Sequence, residues 1–157
     1  MLQSGAIIEY LLENYDKNNS LRYTSSPNKY LTQTWLHFQT SGQGPYFGQR
    51  AWFTLYAPKD VDKTYGLERY GNEIKRVVGV IDAHLKKTKS QWVVGDKVTY
   101  ADLAFVPWFW LLPFIMGEGW EKEWQGSYPE SWAWYQRMQE MPAVKKAYED
   151  RQKAMGK

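Results

Sequence analysis

The stretch Val98-Thr99-Tyr100-Ala101-Asp102-Leu103 decides the fold of this chain. Thr99 precedes Asp102 by three residues, the spacing of a capping box, in which each side chain accepts a hydrogen bond from the backbone N–H of the other residue. The helix that follows, to about Leu112, is apolar on nearly every face. Such a helix belongs inside a bundle. The stretch therefore predicts a central buried helix and a structural role for Asp102.

Helical patterns extend in both directions from this stretch. Apolar residues recur at helical spacing over residues 4–15 and about 63–87, and prolines 27, 129 and 142 are typical of the first turns of three more helices. Residues 40–48 contain three glycines and a proline, so we expect a regular helix to break or bend there. No strand pattern is present. The sequence predicts an all-α bundle of about six helices, forming a single domain over residues 1–157.

Composition excludes several classes of function. The net charge is +3 and the basic residues are scattered, which does not favour nucleic-acid binding. The absence of cysteine and the presence of only two histidines argue against disulfides and a metal site. No run of 18 apolar residues or leader pattern favours a membrane protein, so we expect a soluble cytoplasmic protein. The 9 tryptophans and 12 tyrosines favour an aromatic-lined cavity or a large interface.

Two segments resemble a known family. Residues 93–104, Val-Val-Gly-Asp-Lys-Val-Thr-Tyr-Ala-Asp-Leu-Ala, resemble the capping-box segment of the glutathione transferase C-terminal domain. Residues 35–49, Trp-Leu-His-Phe-Gln-Thr-Ser-Gly-Gln-Gly-Pro-Tyr-Phe-Gly-Gln, are similar to the fungal branch that includes the yeast nitrogen-catabolite regulator. The resemblance covers essentially the whole chain. It implies a helical bundle that supplies a hydrophobic-substrate site and much of a dimer contact.

The first fifteen residues resemble the end of the thioredoxin-like half of such a transferase, and we expect the rest of that half to be absent. Ser4 matches the serine that holds the γ-glutamyl end of glutathione in the family. Gln3 replaces the family's glutamate and lacks its charge. Ser4 can alternatively act as a plain helix cap. We therefore expect weak glutathione binding and no cofactor.

The candidate catalytic residues are Arg50, His37 and Tyr46. Arg50 stands where the resemblance implies a small residue, so it places a new cation beside the expected bend, able to bind a carboxylate or stabilise an oxyanion. The alternative for Arg50 is a surface ion pair, and the alternative for His37 is a core or interface position. The candidate substrate contacts are aromatic side chains and one carboxylate: Phe38, Phe47, Trp52, Tyr65, Trp108 and Glu118.

Three functions are compatible with these residues. The first is a transferase-derived protein that acts on a bulky hydrophobic molecule without glutathione, by isomerisation, elimination or cyclisation in fungal secondary metabolism. The second is conventional glutathione conjugation, with a thioredoxin-like domain or partner chain completing the site. The third is a non-catalytic module that binds a partner. In each case we expect a homodimer, because a lost domain leaves an apolar surface.

Overall fold

The computed structural model describes residues 3–156, which contain nine α-helices and no β-strand. The α-helices are α1 (Ser4–Tyr15), α2 (Asn28–Phe38), α3 (Gly44–Ala51), α4 (Thr64–Thr88), α5 (Tyr100–Phe109), α6 (Leu112–Met116), α7 (Trp120–Ser127), α8 (Pro129–Gln139) and α9 (Pro142–Ala154). Two π-helical turns, Gln39–Gln43 and Trp52–Tyr56, precede and follow α3. Within residues 3–156, no helix has the length and apolar character needed to cross a bilayer.

Helix α5 is packed between α2 and α8. Its Phe105 and Phe109 side chains are fully buried, and their rings lie 5.6 Å and 6.0 Å from the ring of Trp134 on α8. Burying one such large apolar side chain contributes roughly 1.5–3 kcal/mol to folding. The apolar stripe of α4 is also buried, and α4 packs against α3 and α8. The central, all-apolar helix expected from the sequence is therefore the centre of the core.

The capping box at the start of α5 is present. The backbone N–H of Thr99 donates to Oδ2 of Asp102 at 2.8 Å, and the threonine hydroxyl donates to the same oxygen at 2.8 Å. The other carboxylate oxygen accepts the backbone N–H of Val93 and the indole N–H of Trp134, both at 2.9 Å. Asp102 is fully buried. Its side chain thus joins the preceding turn, the start of α5 and the middle of α8.

The turn before the capping box depends on a glycine. Gly95 has φ +64°, and a Cβ atom there would lie 2.3 Å from the hydroxyl oxygen of Tyr23. That hydroxyl donates to Oδ1 of Asp96 at 2.7 Å. A side chain at position 95 would therefore displace Tyr23 and break this link between the loop after α1 and the start of α5.

The all-α prediction is confirmed. The break expected within residues 40–48 takes the form of the π turn Gln39–Gln43, followed at once by α3. Pro45 has no N–H to continue the regular hydrogen-bond ladder there. The structure contains more helical segments than the predicted six, because this break divides one helix and because α6 and α7 form between α5 and α8.

Candidate functional site

An apolar cavity of about 420 Å³ lies between α1, the first π turn and α5. The wall formed by α1 includes Ile8, Leu11 and Leu12, and the wall formed by α5 includes Leu103 and Trp108. The polar side chains that line it are Ser4, Gln39 and Tyr100. Among residues 3–156, no charged side chain is part of the lining. The cavity therefore favours an apolar molecule held by few hydrogen bonds.

Trp108 enters this cavity because two glycines of α3 leave room beside it. A Cβ atom at Gly48 would lie 3.4 Å from the Trp108 ring, and one at Gly44 would lie 3.8 Å from its indole nitrogen. The Trp108 ring also contacts the ring of Phe47, with the centroids 6.4 Å apart. The indole N–H has no hydrogen-bond partner within residues 3–156. Trp108 thus offers a bound molecule both an aromatic surface and one donor.

A pair of buried glutamines holds the π turn against α5. Nε2 of Gln39 donates to Oε1 of Gln43 at 2.9 Å, and Nε2 of Gln43 donates to the carbonyl oxygen of Phe105 at 3.2 Å. Gln39 also lines the apolar cavity. The sequence reasoning overlooked both residues. The sequence does carry one signal for them. Gln39 and Gln43 are four residues apart, a spacing that places both side chains on one face of a helix.

The start of α1 borders the same cavity. Gln3 has φ 71° and ψ 115°, an uncommon backbone conformation for a residue other than glycine, and its side chain makes no cap hydrogen bond. Ser4 is the first residue of α1 and is exposed. The first-turn amides therefore have no side-chain cap, which leaves them available to an anion.

Arg50 lies away from the apolar cavity. Its Nε donates to the carbonyl oxygen of Ile115 at 2.8 Å, and its Nη1 donates to the carbonyl oxygen of Leu67. The guanidinium thus joins α3 to α4 and to α6. Burial lowers the pKa of Arg50. Together with Glu118, Arg50 lines a separate polar cavity of about 500 Å³.

The remaining predicted residues are dispersed. His37 is exposed on α2, and Tyr46 is half-buried with its ring 6.3 Å from that of Tyr70.

The predicted substrate contacts also differ in environment: Phe47 is fully buried in the core, Phe38 is half-buried, and Trp52 and Tyr65 are exposed. The structure therefore brings Ser4 and Trp108 to one cavity and Arg50 and Glu118 to another, and does not unite Arg50, His37 and Tyr46. The described residues also contain no group of three or more His, Asp or Glu side chains that could hold a metal ion.

A family model of the glutathione S-transferase C-terminal domain matches residues 46–151. The chain belongs to the glutathione S-transferase family. It is 43% identical to glutathione S-transferase-like protein OpS6 of Beauveria bassiana over 93% of this chain and 65% of that protein. It is 32% identical to URE2 of Candida albicans over 92% of this chain and 50% of that protein.

Solved structures agree with this assignment. Ure2p5 from Phanerochaete chrysosporium, cocrystallized with 1-(S-glutathionyl)-2,4-dinitrobenzene, superposes with a TM-score of 0.90 at 33% identity. The match covers 100% of this chain and 71% of that one. The predicted family and its fungal branch are thus confirmed. The chain spans about two thirds of OpS6 and about half of URE2.

Proposed function

We propose that this glutathione transferase-family chain binds a bulky apolar small molecule in the cavity between α1, the first π turn and α5. The observation that supports this is the cavity itself, whose volume of about 420 Å³ and mainly apolar lining suit a small-molecule ligand. Among the described lining residues, side-chain hydrogen-bonding groups come only from Ser4, Gln39, Tyr100 and Trp108. Such a site holds a flexible apolar molecule in one conformation and orients it for reaction.

We further propose that the chain acts on this molecule without activating glutathione, by isomerisation, elimination or cyclisation. A thiolate is stabilised by a nearby cation or by donors held against the sulfur. The described residues that line the cavity include no lysine or arginine, and Gln3 is neutral. Reactions that need orientation and one or two hydrogen bonds are compatible with this lining, whereas thiolate formation is not favoured by it.

A cavity-filling variant tests the binding site. Ala104 lines the cavity, so Ala104→Phe is expected to weaken binding of the neutral fluorescent probe N-phenyl-1-naphthylamine by about tenfold or more. Ala133, a half-buried alanine of α8 outside the cavity lining, provides the matched control Ala133→Phe. Equal probe affinity in both variants and the parent chain would contradict the proposal that the apolar cavity binds the molecule. Turnover of apolar metabolites with and without glutathione then tests the reaction class.

A second candidate function is glutathione conjugation with a thioredoxin-like domain that completes the site. The uncapped start of α1, with Gln3 at φ 71°, favours this alternative, as does the exposure of Ile7, Leu11 and Tyr15 along α1. Calorimetry with glutathione and an assay with 1-chloro-2,4-dinitrobenzene distinguish the two. We expect weak binding and no conjugation by the 157-residue chain. Micromolar affinity for glutathione that does not depend on the polar cavity beside Arg50, or conjugation above the uncatalysed rate, would favour the second candidate.

We also propose that a second copy of the chain covers an apolar surface formed by the second π turn and the start of α4. Five large side chains are exposed there: Trp52, Leu55, Tyr56, Val61 and Tyr65. Sedimentation equilibrium at tens of micromolar protein is expected to show a dimer, and Leu55→Glu is expected to dissociate it. A monomeric parent chain would contradict this assembly. A monomer that also fails to bind the apolar probe would favour a non-catalytic partner-binding module.

A further inference from the structure

The polar cavity beside Arg50 is separate from the apolar cavity and has a different chemistry. It has a volume of about 500 Å³ and lies between α3, α4 and the segment from α6 to α7. Arg50, Glu68 and Lys75 contribute from α3 and α4, and Glu118 and Trp120 contribute from the opposite wall. None of these side chains lines the apolar cavity.

Arg50 is a half-buried cation without an acidic partner. Its guanidinium has five N–H groups, of which two donate to the carbonyl oxygens of Ile115 and Leu67. No carboxylate within residues 3–156 forms an ion pair with it. Burial lowers its pKa, and no neighbouring charge opposes that effect. A cation removed from water gains from an anionic partner, so a bound carboxylate would stabilise this arrangement.

Trp120 provides a second unpartnered donor in the same wall. Its side chain is 4% exposed, and Nε1 is buried without a hydrogen-bond partner within the described part of the chain. Its ring also borders a neighbouring cavity lined by aromatic residues. A buried N–H that lacks an acceptor costs about 1–3 kcal/mol. An acceptor oxygen bound beside Trp120 would recover part of that free energy.

The charged residues on the rim of the polar cavity do not favour a simple anion as its ligand. Glu68 and Glu118 are exposed carboxylates on the rim, while Lys75 is already paired with Glu123 at 2.6 Å. An anion alone is attracted by Arg50 and repelled by these acidic groups. A ligand that carries a carboxylate and an ammonium satisfies both sets of charges.

We infer that this cavity binds the α-aminocarboxylate group of a small molecule, with its carboxylate at Arg50 and Trp120 and its ammonium facing Glu68 and Glu118. A free amino acid and the γ-glutamyl end of a peptide such as glutathione both present this group. The site is independent of the proposed function, because the two cavities share none of their described lining residues.

Calorimetric titrations of the full chain with L-glutamine, glutathione and N-acetyl-L-glutamine test this inference. N-acetyl-L-glutamine retains the carboxylate but lacks the ammonium, so it is expected to bind at least about tenfold more weakly than L-glutamine. Binding of L-glutamine identifies a free amino acid as a ligand, and binding of glutathione alone identifies a γ-glutamyl peptide. No binding of either at millimolar concentration overturns the inference, as does equal binding of the acetylated compound.

Conservative variants of two residues that line the cavity locate the binding. Glu118→Gln is expected to weaken binding of the aminocarboxylate about tenfold, whereas Glu121→Gln, an exposed glutamate outside this cavity, is expected to leave it unchanged. Trp120→Phe removes the indole N–H while keeping a ring, and is expected to weaken binding several-fold. Binding of L-glutamine or glutathione that is unaffected by both Glu118→Gln and Trp120→Phe places the ligand elsewhere and overturns the inference.

Discussion

Asp102 and Arg50 are two charged side chains in contrasting environments. Asp102 is fully buried and receives four hydrogen bonds, from two backbone amides, a threonine hydroxyl and an indole. Arg50 is half-buried, donates to two carbonyl oxygens and has no carboxylate partner among residues 3–156. The first arrangement uses the whole hydrogen-bonding capacity of the group for the fold, while the second leaves N–H groups for a ligand.

Burial acts on both groups in the same physical way. It raises the pKa of Asp102, although four donors oppose the shift, and it lowers the pKa of Arg50. In each case removal from water disfavours the charged form. The two groups differ instead in the hydrogen-bonding capacity that remains: the Asp102 carboxylate accepts four hydrogen bonds, whereas two of the five N–H groups of Arg50 are used.

The largest expected effect is that of Asp102→Ala. The substitution leaves two backbone amides and an indole N–H buried without acceptors, so we expect the free energy of unfolding to fall by about 4 kcal/mol. Urea denaturation followed by circular dichroism measures the change. Asp60→Ala, at an exposed aspartate, is the control and is expected to change stability by less than about 0.5 kcal/mol. If the free energy of unfolding of Asp102→Ala falls by no more than that of Asp60→Ala, the structural role of Asp102 is contradicted.

Arg50→Met is expected to have a smaller effect on stability. It removes the donors to the carbonyl oxygens of Ile115 and Leu67, which we expect to cost about 2 kcal/mol. Arg50→Lys retains the charge with a different geometry and is expected to lose about half as much. Urea denaturation gives both values. A destabilisation as large as that of Asp102→Ala would show that the two charges do not differ in the way proposed here.

Thr99→Ala tests the threonine side chain of the capping box apart from the other hydrogen bonds to Asp102. The substitution removes one cap side chain, so we expect a loss of about 1 kcal/mol. Thr99→Ser retains the hydroxyl and is expected to lose less. Thermal denaturation of the two variants makes the comparison. An unchanged midpoint in Thr99→Ala would refute the role of this side chain in starting α5.

The smallest effect is expected at a cap supplied from a distant helix. Oδ1 of Asp82 on α4 accepts the backbone N–H groups of Glu130 and Ser131 at 2.8 Å and 3.0 Å, at the start of α8. Asp82→Ala is expected to cost about 0.7 kcal/mol. Asp82→Asn retains an acceptor oxygen and is expected to cost less. Equal urea midpoints for the parent chain and Asp82→Ala would show that this cap contributes nothing measurable.

Much of the fold could be predicted from local sequence patterns. The start of α5 followed from the spacing of Thr99 and Asp102, and the starts of α8 and α9 followed from prolines 129 and 142. The bounds of α1 agree with its periodicity. These features depend on residues within one or two helical turns of each other, which is the range over which sequence patterns carry information.

Less of the candidate site could be predicted from the sequence. The candidate catalytic residues Arg50, His37 and Tyr46 were chosen for their chemistry, but on the folded chain they face different surroundings. Within the short stretch from Tyr46 to Arg50, one side chain lies in the core and another reaches the polar cavity. The direction of each side chain depends on the π turn and on the packing of α3 against α4 and α5, which no local pattern specified.

The sequence by itself determined the helical class, the family and the capping box, because these rest on local spacing and on a recognisable segment. Only the tertiary structure decided that Asp102 also binds Trp134, that Asp82 caps α8, and that Arg50 lies in a polar cavity away from Trp108. The hydrogen bonds between Trp134 and Asp102, Glu130 and Asp82, and Arg50 and Ile115 join residues that are 32, 48 and 65 positions apart in the chain. Their partners are chosen by how whole helices pack, and that choice is a property of the assembled core.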